Sequence, residues 1–226
     1  MNMKGPEPLI VYERLRRHFG FQKWWPGETD FEVFVGAILT QQTSWKNAEK
    51  ALANLKKNDS LTIEKIAKMP IAKLQRLIRP SGFYMQKAGR LKSLCSTILK
   101  EQGSLERLFT MDTDELRGIL LSYNGIGKET ADSIILYASH KPVFVIDAYT
   151  KRAMHRINPS ISENIAYDEL KSYFEVRIGK QLQLYKDFHA QFVELGKSYC
   201  RKKPLCTDCP LSDMCSFGIA ETNRNP

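Results

Sequence analysis

The chain has 226 residues, 42% of them hydrophobic and 10% aromatic, which is enough apolar material for one large core or two small ones and rules out a disordered polymer. Its 34 Lys and Arg against 25 Asp and Glu leave a formal charge of +9, which points to an anionic partner because each neutralised phosphate releases condensed counterions, although plain solubility would explain the same charge. No apolar run approaches a membrane span and MNMKGPEPL lacks the apolar stretch of a secretory signal, so no membrane partner and a reducing cytoplasmic setting, at the nucleoid, are expected.

Helical periodicity runs through the chain. All three tryptophans, Trp24, Trp25 and Trp45, fall in the first 45 residues, the first two in a loop-like Trp24-Trp25-Pro26-Gly27. Thr29-x-x-Glu32 reads as a capping box for a buried helix striped by Phe31, Phe34, Val35, Ile38 and Leu39. Further helices are predicted from Trp45 to Lys56, Ile71 to Leu77, Gln86 to Lys100 and Thr113 to Leu121, broken at Asn58-Asp59-Ser60, Pro80-Ser81-Gly82 and Gly103. Cys95 shares an apolar face with Leu91, Leu94 and Ile98 and reads as a core thiol. Ala131, Ile134, Ile135 and Ala138 stripe the next helix. Val143 to Ile146 is the only strand-like piece, and it delivers Asp147 to a helix start. Ser162 to Phe174 and Leu182 to Tyr199 complete the helices, the last burying Leu184, Phe188, Phe192 and Leu195, and the residues from Gly218 onward read as a loose tail.

Two constellations carry chemistry. Cys200, Cys206, Cys209 and Cys215 fall within sixteen residues as C-x5-C-x2-C-x5-C. Thiolates this close do not easily form two unstrained disulfides, yet they can wrap one four-ligand centre. A zinc ribbon would supply two C-x2-C knuckles across a long loop, whereas here only Cys206 and Cys209 form a knuckle and Pro204 and Pro210 stiffen a short loop. A 4Fe-4S cluster is therefore favoured over zinc, with free thiols as the remaining reading. The second constellation is Gly125-Ile126-Gly127-Lys128 between two helices. Glycines let backbone approach a ligand closely, the N–H groups opening the second helix suit an anion such as a DNA phosphate, and Lys128 adds charge. An ordinary glycine-rich connection has the same composition.

The run Gly125-Ile126-Gly127-Lys128-Glu129-Thr130-Ala131, then Val145-Ile146-Asp147-Ala148-Tyr149, then the four cysteines, resembles the helix-hairpin-helix DNA glycosylases of the endonuclease III superfamily across residues 28 to 216. The resemblance implies an all-α fold of two helical lobes. A barrel-like domain with the hairpin would span 28–140, and 1–27 plus 141–226 would form a second domain carrying the cluster loop at 200–215. It also implies that Asp147 is catalytic, steadying the oxocarbenium character that develops on deoxyribose as the N-glycosidic bond breaks. Asp147 serving only as a helix cap is the plainer alternative. Members that also cut the strand use a lysine amine just after the hairpin; Glu129 stands there, which implies a monofunctional enzyme. Glu129 itself would position water or cap its helix.

Within the superfamily, Trp-Trp-Pro, Leu-Thr-Gln-Gln-Thr-Ser-Trp, Arg79-Pro80-Ser81-Gly82-Phe83-Tyr84-x-Gln86-Lys87-Ala88 and Gly-Ile-Gly-Lys-Glu most resemble the bacterial 3-methyladenine DNA glycosylase III branch, although this chain departs from it in carrying the cysteines. That implies a base pocket of Trp24, Trp25, Pro26 and Trp45 for an alkylated purine, where core packing is the alternative for each tryptophan. Gln42, or Gln41 beside it, and Phe83 would fill the stack after the nucleotide leaves. The expected partner is double-stranded DNA holding a damaged base, bound by a monomer. Uracil, thymine-mismatch or oxidised-base excision on the same fold, and a non-catalytic DNA-binding iron-sulfur protein, are the competing functions.

Overall fold

The computed structural model describes residues 5–222; residues 1–4 and 223–226, the ends of the expected second domain, lie outside the described part. Among the described residues the chain is helical, without strands, and no helix is long and apolar enough to cross a membrane. It divides into two units, Trp25–Lys141 and a discontinuous one made of Met1–Trp24 with Pro142–Pro226. Helix α1 (Pro8–Phe19) opens the discontinuous unit. The continuous unit holds α2 (Asp30–Leu39), α3 (Trp45–Lys57), α4 (Ile63–Lys68), α5 (Ile71–Ile78), a 3-10 turn at Arg79–Ser81, α6 (Tyr84–Gln102), α7 (Leu105–Thr110), α8 (Thr113–Ser122) and α9 (Lys128–Ser133). The last runs straight into a π-helical turn, Ile134–Ala138. The chain then returns to the first unit with α10 (Ala148–Ile157), α11 (Tyr167–Ile178), α12 (Leu182–Ser198) and α13 (Ser216–Thr222).

In the continuous unit α2 is the hub, with every residue from Glu32 to Leu39 buried, so it is apolar nearly all round. The Thr29 side chain accepts the Glu32 N–H at 3.1 Å. The return half of the expected capping box is displaced, since the Glu32 carboxylate takes the Glu28 N–H at 2.9 Å and Lys56 at 2.8 Å instead of closing on Thr29. Helices α4 and α5 pack on α6, and α3 packs on α5. Cys95 is fully buried, and burial pushes its thiol up to about 12, as befits a core residue.

The discontinuous unit is built around an aromatic core. Phe144 stacks on Phe174 at 4.2 Å and Phe188 on Phe192 at 4.8 Å, with Tyr185 edge-on to Phe144. This packing explains the first correction. Val143 to Ile146 is extended and buried but pairs with no strand, because the Phe144 N–H goes to Glu175 Oε1 at 2.9 Å and the Ile146 N–H to the Tyr167 hydroxyl at 3.3 Å. Side chains satisfy the backbone that a sheet would otherwise have to serve.

Three further expectations change. The helix expected from Ser162 begins at Tyr167, because the Ser162 hydroxyl takes the Asn164 N–H at 3.2 Å and Asn158 takes the Ser160 N–H at 3.0 Å, holding the segment in turns. Tyr185 rather than Leu184 faces the core of α12. The expected loose tail is helical from Ser216 to Thr222.

Candidate active site

Asp147 caps α10. Its Oδ1 accepts both the N–H and the hydroxyl of Thr150, each at 2.7 Å, while Oδ2 faces His189 Nε2 of α12 at 3.7 Å. Helices α10 and α12 approach closely because position 196 is glycine; a Cβ there would run into the Tyr149 ring. Asp147 and His189 are 9% and 5% exposed. Burial by itself would raise the Asp147 carboxyl, but the proximity of the His189 ring and the two Thr150 hydrogen bonds outweigh it and hold the group below the usual carboxylate range. The result is a fixed anion with one oxygen tied down. Sequence reasoning missed His189, whose only signal is a polar residue beside Phe188 on an otherwise buried helix face.

The glycine turn joins α8 to α9. Gly125 adopts φ +86°, Gly127 caps α9 with open space where a Cβ would stand, and Ile126 is buried. Arg117 and Asp132 form a two-point ion pair at 2.7 and 3.2 Å that locks the two helices together. Lys128 and Glu129 are exposed in the first turn of α9. Gln41 bridges from the end of α2, donating to the Gly125 carbonyl and to the Thr130 hydroxyl at 3.0 Å each. Gln41 therefore supports the hairpin, whereas Gln42 is exposed at φ +54°.

Phe83 is also left-handed, at φ +44°, and 60% exposed, so it is not core. Two non-glycine residues in this strained region face solvent within short segments that one buried cation joins. Lys87, 3% exposed, donates to the Leu39 carbonyl at 2.8 Å, just ahead of Gln41-Gln42, and to the Ser81 carbonyl at 2.7 Å, just ahead of Gly82-Phe83. Burial lowers its ammonium to about 8.

The aromatic residues divide between the units. Trp25 meets Trp45 edge-on at 5.3 Å and Tyr137 at 5.4 Å, all in the continuous unit, with Gly36 close beneath; a Cβ on it would stand 3.2 Å from Trp25 Nε1. Tyr137, contributed by the π-helical turn, was not foreseen, because an extra residue per turn changes which side chain faces the tryptophans. Pro26 is exposed beside Trp25. Trp24 belongs to the other unit, where Lys197 Nζ sits 5.5 Å over its ring.

Cys200, Cys206, Cys209 and Cys215 all line one small cavity of about 30 Å³, and none is in a disulfide. Arg156 donates to Cys200 Sγ at 3.4 Å, and the Gly218 N–H donates to Cys215 Sγ at 3.4 Å. Burial, with the neighbouring thiols, pushes the Cys209 thiol up to about 11. Among the described residues no group of three or more Cys, His, Asp or Glu is set to hold a metal ion, and the four cysteines share the lining of that one cavity.

Residues 35–180 match the family model described as HhH-GPD superfamily base excision DNA repair protein. The chain is 50% identical over 207 residues, 91% of its length and 94% of the relative's, to a protein of Methanocaldococcus jannaschii named as a candidate DNA repair glycosylase. Among solved structures it is similar to the 3-methyladenine DNA glycosylase MagIII of H. pylori bound to 1,N6-ethenoadenine, with 34% identity, a TM-score of 0.75 and coverage of 85% of this chain and 98% of that one. The fold also matches an endonuclease III in a non-covalent DNA complex, at a TM-score of 0.81 and 19% identity over 95% of this chain and 96% of that one.

Proposed function

The chain belongs to the HhH-GPD superfamily of base excision DNA repair proteins and is a DNA glycosylase, and we propose that it releases alkylated purines such as 3-methyladenine by hydrolysis, with no strand-cutting step. The observation that carries the reading is the setting of Asp147, a buried carboxylate with one oxygen held by Thr150 and the other facing His189, neighbours that favour its charged form. Such a group steadies positive charge on the sugar as the C1′–N bond breaks, and it accepts a proton from the water whose oxygen bonds to C1′. It does not donate a proton to the departing base. The substrate that fits leaves with the bonding electron pair and needs no protonation, as a purine already cationic from N3 or N7 alkylation does. The MagIII relative, named for 3-methyladenine, supports the same class.

In this reading Trp25 and Trp45, with Pro26 and Trp24, stack the extruded base, since a π-face attracts a cationic ring. Gln42 and Phe83 occupy the gap left in the duplex, and Gly125 to Lys128 hold a backbone phosphate on backbone N–H groups. Glu129, exposed on α9 and carrying no amine, cannot form an imine with the sugar. The enzyme acts as a monomer at the cytoplasmic nucleoid, because one asymmetric lesion offers no two-fold target.

Cys200, Cys206, Cys209 and Cys215 would hold a 4Fe-4S cluster as a staple that orders the loop between α12 and α13. The fit rests on the donor set: four free thiols around one void, with Arg156 and the Gly218 N–H directed at two sulfurs that would carry negative charge as thiolates. A brown anaerobic preparation with four irons per chain, in line with the cluster type, is expected; stoichiometric zinc in a colourless one would overturn it.

The experiment on substrate incubates the protein with duplexes carrying 3-methyladenine, 7-methylguanine, uracil, a thymine mismatch or 8-oxoguanine, followed by alkali to cut abasic sites. Release confined to the alkylated purines is expected. Release of uracil or thymine alone would refute the alkylpurine reading, and a borohydride-trapped protein–DNA adduct would refute the monofunctional one.

A further inference from the structure

Beside the glycine turn, an open cleft of about 350 Å³ is lined by Arg90, Ser93, Thr97, Ser122, Tyr123 and Asn124. Arg90, Ser93 and Thr97 stand at i, i+3 and i+7 on α6 and so share one helix face, while the last residue of α8 and the start of the turn form the opposite wall. Arg90 is exposed and makes no hydrogen bond or ion pair among the described residues. Its side chain is nonetheless placed. A Cβ built on Gly125 would stand 2.6 Å from Arg90 Cδ, 2.8 Å from Nε and 3.2 Å from Cζ, so the guanidinium stem lies flat on the hairpin glycine.

Burial, with the Glu101 carboxylate, raises the Tyr123 phenol. Its hydroxyl is buried with no partner among the described residues. The lining also offers a planar cation with a fork of donors, the Ser93 hydroxyl and the Asn124 amide, which suit the oxygens of a phosphate.

We propose that Arg90, with Ser93 and Asn124, is a second phosphate seat, holding the duplex backbone next to the phosphate taken by the Gly125–Lys128 turn. The seat rests on the reading of that turn as a phosphate grip. It makes a distinct claim, however: the side chain that fills the space beside Gly125 carries a charge used by the DNA, so the glycine serves Arg90 as well as the turn.

The test is binding of a duplex bearing a stable abasic-site analogue, followed by fluorescence anisotropy across a salt series, for the wild type, Arg90→Gln, Arg90→Lys, Ser93→Glu and Lys128→Gln. Losing one phosphate contact should lower the slope of log K against log salt by about 0.9. Arg90→Gln is expected to show that drop, Arg90→Lys to keep the wild-type slope, and Ser93→Glu to weaken binding more than tenfold at low salt. An unchanged slope in Arg90→Gln alongside a lowered one in Lys128→Gln removes the seat and leaves the hairpin reading intact. Unchanged slopes in both remove the two together. Should Arg90→Gln not fold, wild-type affinity in Ser93→Glu would be sufficient to overturn the seat.

Discussion

Asp147 and the Gln42–Phe83 rim solve opposite problems with buried polar groups. Asp147 is itself buried, with one oxygen held by Thr150 and the other facing His189, so the carboxylate is fixed directly. Gln42 and Phe83 are exposed and left-handed, and among the described residues no side-chain hydrogen bond pins them; what is fixed is the backbone just before each of them, through the Lys87 ammonium. In the proposed function Asp147 performs chemistry in a defined place and gains from being rigid, whereas Gln42 and Phe83, proposed to enter the duplex, need to stay accessible and are supported from behind. The two regions should therefore fail differently when changed.

The largest effect is expected at Asp147. Asn is as good a helix cap as Asp, so Asp147→Asn should fold and bind duplex as the wild type does, while base release falls by about three orders of magnitude with the loss of the anion. Single-turnover release and anisotropy on one preparation separate the two. A release rate within a few-fold of wild type would reduce Asp147 to a cap.

Lys87→Met comes next. The change removes the donor and leaves two buried carbonyls unserved, at a cost of about 2–4 kcal/mol by denaturant titration. If the brace works as described, fluorescence of a 2-aminopurine beside the lesion will rise less at saturating protein than with wild type, because Gln42 and Phe83 lose their setting. A full fluorescence rise in a destabilised protein would make Lys87 purely structural. Its lowered ammonium adds a pH signature. A lysine at about 8 in the fold and 10.5 unfolded makes the native state bind fewer protons between those values, so stability should rise with pH across that window in the wild type, and this rise should be absent in Lys87→Met.

The sequence made the chemistry more legible than the framework that aims it. The Gly125-Ile126-Gly127 turn, Asp147 and the four cysteines are short runs whose residue types are tied to a local backbone shape, and the structure has Gly125 left-handed between two helices, Asp147 capping α10 and the cysteines lining one cavity. Helices α4 and α7 escaped notice because six residues show little more than one helical turn, and it is the caps Thr62 and Ser104 that define them. Val143 to Ile146 looked like a strand because an apolar run says that a segment is buried, not which groups serve its N–H donors, and Glu175 and Tyr167 serve them from far along the chain. Tyr137, Lys87 and His189 share one reason for being overlooked. Each sits in a helix interior where burial by packing is the ordinary expectation, and its partner is brought near only by tertiary structure.

A smaller effect is expected at Phe83. Its ring is solvent-exposed and its left-handed backbone does not favour a β-carbon, so Phe83→Ala should leave the melting temperature nearly unchanged. If the ring takes up space in the duplex, base release from an unperturbed base pair should fall about tenfold, and much less when the lesion lies opposite an abasic gap that is already unstacked. Equal loss on both duplexes would assign Phe83 to contact rather than to wedging.

The finest test sits back at the buried site, with His189→Phe. Burial would raise Asp147, and His189 leads the interactions that lower it, so the replacement leaves burial opposed only by Thr150 and moves the carboxyl upward. With the folded value depressed in the wild type, the stability that Asp147 adds is present above its unfolded value and disappears as pH falls through the folded one; the variant should lose that increment. Activity has the same sign. Base release needs the anion, so the acid limb of its pH profile should move to higher pH while the rate on the neutral plateau changes only a few-fold. A uniform loss at every pH, with the limb unmoved, would mean that His189 fills space beside α10 and does not hold the charge on Asp147.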